Sequence, residues 1–299
     1  MANPNPALLA QTDDAPAFLT VRGNKEKLAG YPIAMVGARN ASANGQYLAE
    51  TLARDLGNAG MIVVSGLARG IDVAAHRGAL ATGTVAVIGG GIDIAYPREN
   101  RHLQDAIADT GLLVTEARPG EQPTARHFPR RNRIIAGMSA GVIVVEAAPR
   151  SGSLITARLA GEYGRDVFAV PGAAHDPRGR GTNQLLREGA ILTETADDVL
   201  AALPRGFEPP RPTIFTPVPR PPVQTALPSA ADLKDNDGDD DDPLSAITSA
   251  LGTVPSRIDD IVRLTGIPSD AVLSAFTELE LAGRLERHPG GRVALRAAR

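Results

Sequence analysis

Small residues and arginines recur together at several points of the chain, each time directly after a short apolar run. The loops are residues 37–39, 65–70, 89–91, 150–153 and 171–172. Because glycine lacks a side chain, backbone N–H groups there can approach a ligand closely, and the N-terminus of a following helix favours an anion. Glycine also makes tight strand-to-helix turns, which alone would explain one such loop. Repetition, with Arg39, Arg69 and Arg150 among the loops, favours a phosphate-binding surface instead.

A second group of cations lies in residues 118–133, where five arginines accompany a single acidic residue, Glu121. The segment contains Arg131, Asn132 and Arg133, and we expect it to lead into a helix. An exposed, solvated helix face would have a similar composition. The whole chain has four tyrosines, six phenylalanines and no tryptophan, so a base-stacking platform is poorly supported. Nucleic acid, if it binds this segment, is therefore expected to be held chiefly by its phosphates.

The residues that the chain lacks argue against several kinds of catalytic and cofactor site. Without cysteine there is no thiolate nucleophile or sulfur-bound metal, and the five histidines are scattered. No Gly-x-Gly-x-x-Gly follows the first predicted strand, and no glycine precedes a lysine, which argues against nicotinamide and P-loop sites. Residues 137–141 match Gly-x-Ser-x-Gly but leave a helix and enter a strand, unlike a nucleophile elbow. We expect no metal, no cofactor and no enzymatic turnover.

Two carboxylates, Glu116 and Glu146, follow predicted strands and could in principle act as an acid or a base. Neither residue has a second acidic residue at a spacing typical of a catalytic carboxylate pair. We therefore expect both side chains to pair with nearby arginines.

Short apolar strands alternate with helical stretches through the first two thirds of the chain. The predicted strands are residues 33–36, 61–65, 84–88, 112–115, 142–146 and 167–170, with a short one near Ile191, and the predicted helices are residues 45–59, 71–81, 99–108, 131–140 and 153–163. This alternation predicts an extended Rossmann-like, doubly wound, mostly parallel sheet covered on both faces. Ligands of such sheets bind beyond the carboxyl ends of the strands, where the glycine-rich loops fall.

The chain divides into three parts by composition. Residues 1–206 form the Rossmann-like domain, and residues 207–242, rich in proline and aspartate, predict a disordered linker. Residues 243–299 read as three short helices and a hairpin that turns at residues 289–291, which predicts a winged helix. The aspartate run faintly resembles a calcium loop but has no closing glutamate.

No apolar run approaches the length of a membrane span, and the first residues lack the charged leader of a signal peptide. The expected location is cytoplasmic, with no membrane partner.

Several long motifs in this order resemble one family. They are the residues Val36-Gly37-Ala38-Arg39, residues 65–72 (SGLARGID), residues 128–137 (FPRRNRIIAG), residues 151–157 (SGSLITA) and Val170-Pro171-Gly172. Together they resemble the bacterial DNA-processing protein A (DprA/Smf) family over about residues 14–200. The resemblance implies a homodimer that binds and protects single-stranded DNA and loads the RecA recombinase during natural transformation. A single-strand-binding protein is a further candidate partner.

The resemblance also implies which residues contact DNA. Carried onto the matching motifs, the family's DNA site falls on Gly37, Arg39, Gly66, Arg69, Gly70, Arg131, Asn132, Arg133, Ser151, Gly152 and Ser153. Some members begin with a small helical domain; because this chain starts almost at the core, that domain is expected to be either absent or trimmed away. The terminal winged helix resembles an optional module of the family.

A nucleotide phosphoribohydrolase and a transcription regulator are the two alternatives to this function. The lysine-decarboxylase-like nucleotide phosphoribohydrolases carry Pro-Gly-Gly-x-Gly-Thr-x-x-Glu, and aligning this motif with residues 151–159 puts Leu159 at the position of the glutamate. A transcription regulator would read duplex DNA through its third helix, but that segment has Asp270, Glu278 and Glu280 and no cation. Both alternatives therefore lack a residue that their chemistry needs.

Overall fold

A twisted eight-stranded sheet with helices on both faces forms the larger part of the molecule. The computed structural model describes residues 6–203 and 243–296. The sheet strands are β1 (Thr20–Gly23), β2 (Tyr31–Val36), β3 (Met61–Ser65), β4 (Thr84–Val87), β5 (Leu112–Thr115), β6 (Gly141–Val144), β7 (Asp166–Ala169) and β8 (Ile191–Leu192). Their order is β1-β5-β4-β3-β2-β6-β7-β8, and only the β1–β5 pair is antiparallel.

Seven helices surround this sheet in the described part of the larger domain. They are α1 (Ala43–Asn58), α2 (Ile71–Ala79), α3 (Arg101–Thr110), α4 (His127–Met138), α5 (Gly152–Glu162), α6 (Pro177–Arg187) and α7 (Ala196–Ala202). Residues of α1 and α2 pack on one face of the sheet, and residues of α4 and α5 pack on the other. The predicted doubly wound, mostly parallel fold is confirmed.

Burial on both faces explains why apolar and polar residues do not alternate along the central strands. In β3, β4, β5 and β6 every residue is buried, because each strand carries helices on both faces. Helices α1 and α6 begin at ordinary side-chain caps. The hydroxyl of Ser42 accepts the N–H of Gly45 at α1, and the carboxylate of Asp176 accepts the N–H of Arg178 at α6. Local chemistry and sheet burial therefore agree along most of the domain.

The remaining described residues form the predicted winged helix. It contains α8 (Pro243–Ala250), β9 (Ser256–Arg257), α9 (Ile258–Thr265), α10 (Ser269–Leu281), β10 (Leu285–His288) and β11 (Arg292–Leu295). The three strands pair antiparallel in the order β10-β11-β9. The predicted linker, residues 207–242, lies outside the described residues, so the boundaries of the three parts remain predictions. Within residues 6–203 and 243–296, no helix has the length and apolar character needed to cross a membrane.

An arginine of α6 makes the charged contacts that dock the winged helix on the larger domain, beside a bond from the amide of Asn44 to the carbonyl of Val254. The guanidinium of Arg178 donates from Nη1 to the carbonyl of Ser249 (2.9 Å) and from Nη2 to that of Leu251 (2.8 Å). The carboxylate of Asp176 holds the same guanidinium through two contacts of 3.1 Å. Ala43 of α1 is buried within the apolar core of the winged helix. The two parts therefore share a packed, hydrogen-bonded contact.

Replacing Arg178 should loosen this contact. In Arg178→Ala both bonds to the carbonyls are lost, and a hydrogen bond to a charged group contributes about 1.5 to 3 kcal/mol. Amide hydrogen exchange should become faster at the end of α8 and the start of α1. Arg180→Ala, which changes an exposed arginine of the same helix, is the control. Equal exchange in both variants would contradict a docking role for Arg178.

Candidate nucleic-acid interface

The largest groove of the described structure lies where the sheet changes direction. The chain passes outward from β2 through β3 and β4 to β5, then returns to place β6 on the other side of β2. Loops on the two sides of this switch point separate and leave a crevice beyond the carboxyl ends of the strands. The loops after β2, β3 and β6 line it. The predicted position of the site is therefore where the fold leaves space for a ligand.

Two adjoining cavities occupy this crevice. The basic groove has a volume of about 560 Å³ and is lined by Gly37, Arg39, Asn40, Asp72, Arg131, Asn132, Arg150, Ser151, Gly152, Ser153 and Arg178, among others. The side pocket has a volume of about 210 Å³ and is lined by Gly66, Arg69, Gly89, Gly90, Tyr96 and Phe128, among others. Arg39 and Arg131 line both cavities.

Arg131 forms the floor between the two cavities. Its side chain is only 7% exposed and lies directly on Gly66, where a Cβ atom would stand 1.3 Å from Nη1 of the guanidinium. Residue 66 must therefore be glycine for this guanidinium to stay where it is. Among the described residues, Nε of Arg131 has no hydrogen-bond acceptor. A buried donor left unmet favours the entry of an oxyanion.

One carboxylate compensates this buried charge. Asp72 lies 3.9 Å from Nη1 of Arg131 and also accepts the backbone N–H of Ala68 at 3.3 Å. Burial raises the pKa of Asp72, and the positive charge of Arg131 opposes that shift. Burial lowers the pKa of Arg131 to about 10, with Asp72 opposing the shift and Arg39 adding to it. Arg131 therefore stays charged at neutral pH.

Arg39 approaches the same point from the loop after β2. Its guanidinium carbon lies 5.1 Å from the centre of the Phe128 ring, a cation–π distance. The ring of Tyr96 lies 5.6 Å from that of Phe128 at an angle of 35°. The entrance shared by the cavities therefore combines positive charge with two aromatic faces.

The N-terminus of α5 faces the basic groove. Ser151 caps the helix, and its hydroxyl lies 2.8 Å from the hydroxyl of Ser153, while the amide of Asn132 donates to the carbonyl of Gly152. Backbone N–H groups at such a terminus attract an anion. All three predicted residues of this loop therefore gather with Asn132 at one wall of the groove.

The N-terminus of α1 is already occupied by a carboxylate. Glu146 accepts the N–H of Ser42 at 2.9 Å and the hydroxyl of Ser42 at 2.6 Å. Gly45 makes room for it, since a Cβ atom there would lie 2.5 Å from the carboxylate carbon. The expectation that Glu146 pairs with an arginine is therefore wrong, because the helix terminus supplies the donors. Glu116 does pair with arginines, at 3.0 Å from Arg130 and 2.6 Å from Arg133.

Nine of the eleven predicted DNA-contact residues line one of the two cavities, and Gly70 and Arg133 do not. Gly37, Gly66, Arg39, Arg69, Arg131, Asn132 and residues 151–153 line one cavity or the other. Gly70 lies behind them and carries a positive φ of 73° beside the carbonyls of Ala38 and Arg39. Arg133 points elsewhere, to Glu116 and the carbonyl of Asp14. Two positions apart on a helix, Arg131 and Arg133 cannot share a face.

The sequence interpretation missed the aromatic side pocket. Phe128 stands within the basic segment, but Tyr96 comes from the loop after β4, and no local pattern links the two residues. Ile88 and Ile94 add apolar surface to the pocket. The run of three glycines at residues 89–91 was the available signal, because it leaves open space beside Phe128.

The class of protein that this fold and groove define is a Rossmann-type protein with a basic groove at the switch point of its sheet, joined to a winged helix. The family model described as DNA recombination-mediator protein A matches residues 2–204. The model described as DprA winged helix domain matches residues 224–291.

Individual relatives agree with these matches. Protein Smf of Escherichia coli is 38% identical, with 98% of this chain and 75% of the relative covered. DNA processing protein DprA of Streptococcus pneumoniae is 49% identical over 64% of this chain and 69% of the relative. The X-ray structure of the Streptococcus pneumoniae protein superposes with a TM-score of 0.65 at 47% identity, covering 68% of this chain and 72% of that one.

A second solved structure, of DNA processing protein A from Helicobacter pylori, is described by its single-stranded DNA binding mode. It superposes with a TM-score of 0.62 at 30% identity and covers 66% of this chain and 91% of that one. The chain belongs to the DNA recombination-mediator protein A family, also called DprA/Smf, as its motifs indicated.

A buried histidine beneath the groove makes the stability of the fold depend on pH. Nδ1 of His76 lies 2.9 Å from the hydroxyl of Thr84, which itself donates to the carbonyl of Val63. Because the Thr84 hydroxyl already donates its hydrogen, Nδ1 of His76 must be the donor in this contact. Burial, and to a lesser extent Arg131, lowers its pKa from 6.5 to about 3. The unfolded chain therefore binds more protons below pH 6.5, so this group's contribution to stability falls as pH falls.

His76→Gln should remove this dependence. Between pH 6.5 and pH 3 the free energy of unfolding of the unchanged protein should fall more steeply than that of the variant, by up to about 1.4 kcal/mol per pH unit. Chemical unfolding at a series of pH values measures both slopes. His102→Gln, at an exposed histidine of α3, is the control and should follow the unchanged protein. Parallel profiles for His76→Gln and the unchanged protein would refute the assignment.

Proposed function

We propose that this chain binds single-stranded DNA in the basic groove, protects it and loads the RecA recombinase onto it. The observation that carries the proposal is the guanidinium of Arg131, buried on Gly66 beside Arg39 with a donor that no described residue satisfies. Phosphate oxygens are suited to such a donor. The binding mode described for the Helicobacter pylori relative supports the same ligand.

The side pocket supports a preference for single strands. Its walls include Phe128 and Tyr96, and aromatic faces stack with bases of any sequence. A base can enter a pocket of this kind only when it is unpaired and turned away from its neighbours. Duplex DNA presents phosphates to Arg39 and Arg131 but no free base to the pocket. We therefore expect the aromatic contact to add affinity for single strands alone.

Loading of a recombinase requires a strand that is held without being wrapped. Contacts through a few phosphates and one base at each groove leave the neighbouring nucleotides accessible. A homodimer would hold one strand at two such points. The exposed Leu192 on edge strand β8 and Leu200 on α7, 50% and 37% exposed, support a contact between copies there. We propose natural transformation as the setting, with a single-strand-binding protein as a further partner.

We propose binding without catalysis. In the alignment with nucleotide phosphoribohydrolases, Leu159 stands at the position of the catalytic glutamate, and this side chain is 9% exposed within the apolar core. No group of three or more acidic or histidine side chains capable of holding a metal occurs in the described ranges. The groove residues suit an anion that is held rather than cleaved.

The arginines of the groove should determine both affinity and salt dependence. We expect Arg39→Ala, and Arg131→Gln combined with Asp72→Asn so that no buried charge is left alone, each to weaken oligothymidine binding. A charged hydrogen bond contributes about 1.5 to 3 kcal/mol, which corresponds to about 10- to 150-fold in Kd. The slope of log K against log salt should flatten by about 0.7 for each lost phosphate contact.

Fluorescence anisotropy with single-stranded and duplex oligonucleotides measures these quantities. Arg158→Ala is the control, because Arg158 is an exposed arginine of α5 paired with Glu162. Folded Arg39 and Arg131 variants that keep the affinity and the salt slope of the unchanged protein would contradict the proposal.

Gly66→Ala tests whether Arg131 must lie where it does. The added methyl group overlaps Nη1, so the guanidinium has to leave the groove floor even though its charge remains. We expect single-strand affinity to fall by about the same factor as in the Arg131 variant. In a double-mutant cycle the two changes should be far from additive, because they remove the same contact. Fully additive effects would show that Gly66 and Arg131 act separately.

A further inference from the structure

The sheet of the winged helix carries a row of basic residues across its three strands. Arg257 of β9 stands directly opposite Arg292 of β11, and Arg292 stands directly opposite His288 of β10. Side chains of directly opposite residues project from the same face of a sheet. The alternate residues Leu285 and Val293 are buried in the domain core, so this row lies on the other face.

The row extends to a second arginine pair at the other end of the hairpin. The N–H of Arg296 donates to the carbonyl of Arg284 at 2.8 Å, which continues the β10–β11 ladder by one step. By alternation both side chains fall on the same face as Arg292. The wing face, as we name it, therefore consists of Arg257, Arg284, His288, Arg292 and Arg296, with Glu286 as its one acid and the small, buried Ala294 opposite Glu286.

This arrangement is unfavourable without a ligand. Like charges placed directly opposite one another destabilise a pair of strands. Among the described residues none of the four wing-face arginines has an acidic partner within ion-pair distance. By contrast, Arg287 of the same hairpin pairs with Glu280 at 2.9 Å and Arg263 pairs with Asp260 at 2.7 Å. The domain therefore neutralises its arginines elsewhere but not here.

Helix α10, which would enter a major groove in a transcription regulator, has the opposite charge. It carries Asp270, Glu278 and Glu280 and no cation, and its exposed apolar residues include Leu273 and Leu281. Phosphates are repelled by that surface and attracted by the wing face. The charge distribution thus selects the sheet rather than the helix as the anion-binding side of the domain.

We propose that the wing face is a second nucleic-acid site, which binds the phosphate backbone without reading sequence. Arginines on a flat three-stranded sheet reach successive phosphates, and contacts of this kind position a strand but carry no base information. The phosphates belong to a single strand or to a duplex, and the chemistry of recognition is the same. The site does not depend on the basic groove, which lies on the other domain.

The test uses the full-length chain with Arg257→Gln and Arg292→Gln combined. Anisotropy titrations over a range of salt concentrations compare labelled oligothymidine with a labelled duplex. Loss of two phosphate contacts should flatten the log–log salt slope by about 1.4 for a single strand or about 1.8 for a duplex. Arg263→Gln, an exposed and ion-paired arginine of the same domain, is the matched control and should leave the slope unchanged.

Weaker, less salt-dependent binding of only one of the two nucleic acids supports the site and identifies its ligand. Unchanged slopes and affinities with both would overturn it, as would a larger effect from Asp270→Asn with Glu278→Gln on α10. Repeating the titrations in an Arg39→Ala background separates this site from the groove. An effect of Arg39→Ala without any effect of the wing variant leaves the proposed function standing and removes only the second site.

Thermal unfolding without DNA separates phosphate binding from a structural role of these arginines, because the two roles predict opposite changes in Tm. Because the wing-face arginines repel one another, the double variant should have an unchanged or higher Tm. A lower Tm than that of Arg263→Gln would mean that these arginines stabilise the domain, and it would overturn the proposal.

Discussion

The buried guanidinium of Arg131 is the interaction on which the groove depends. A cation removed from water is unfavourable unless a counter-charge and hydrogen bonds compensate it. Asp72 provides the counter-charge from the first turn of α2, and Gly66 provides the space by having no side chain. The chain after β3 therefore needs a glycine at residue 66, in the loop, and an acidic residue at position 72, in the first turn of α2.

The sheet topology supplies the other half of the arrangement. Because β2 and β6 are adjacent while their connections leave in opposite directions, Arg39 and the α5 N-terminus face each other across one crevice. Glu146 fills the neighbouring α1 terminus and so removes a competing anion site. One open helix terminus, the guanidinium groups of Arg39 and Arg131 among other arginines, and an aromatic pocket lie at the crevice. The docked winged helix meets its rim through Arg178, which also lines the groove.

The strands, the parallel order and the position of the groove could be predicted because buried apolar runs and glycine-rich loops are local signals. Helices α6 and α7 and strand β1 were missed, since their residues are mixed in character and their burial depends on distant neighbours. Helix α4 begins at His127 rather than near residue 131, because Pro129 is tolerated in a first turn. The earlier start adds a turn before Arg131 and Arg133, which lie on different faces of the helix in either case. The pocket formed by Phe128 and Tyr96 depends on tertiary contacts alone.

The central claim is that Arg131, resting on Gly66, contacts a phosphate of bound single-stranded DNA. The most direct measurement is the NMR signal of its side-chain Nε–H group, assigned by its disappearance in Arg131→Lys and followed during titration with oligothymidine. We expect a large shift of this signal that saturates together with binding, because the donor gains an acceptor. A signal that stays unchanged while DNA saturates the protein would show that Arg131 does not contact the bound strand.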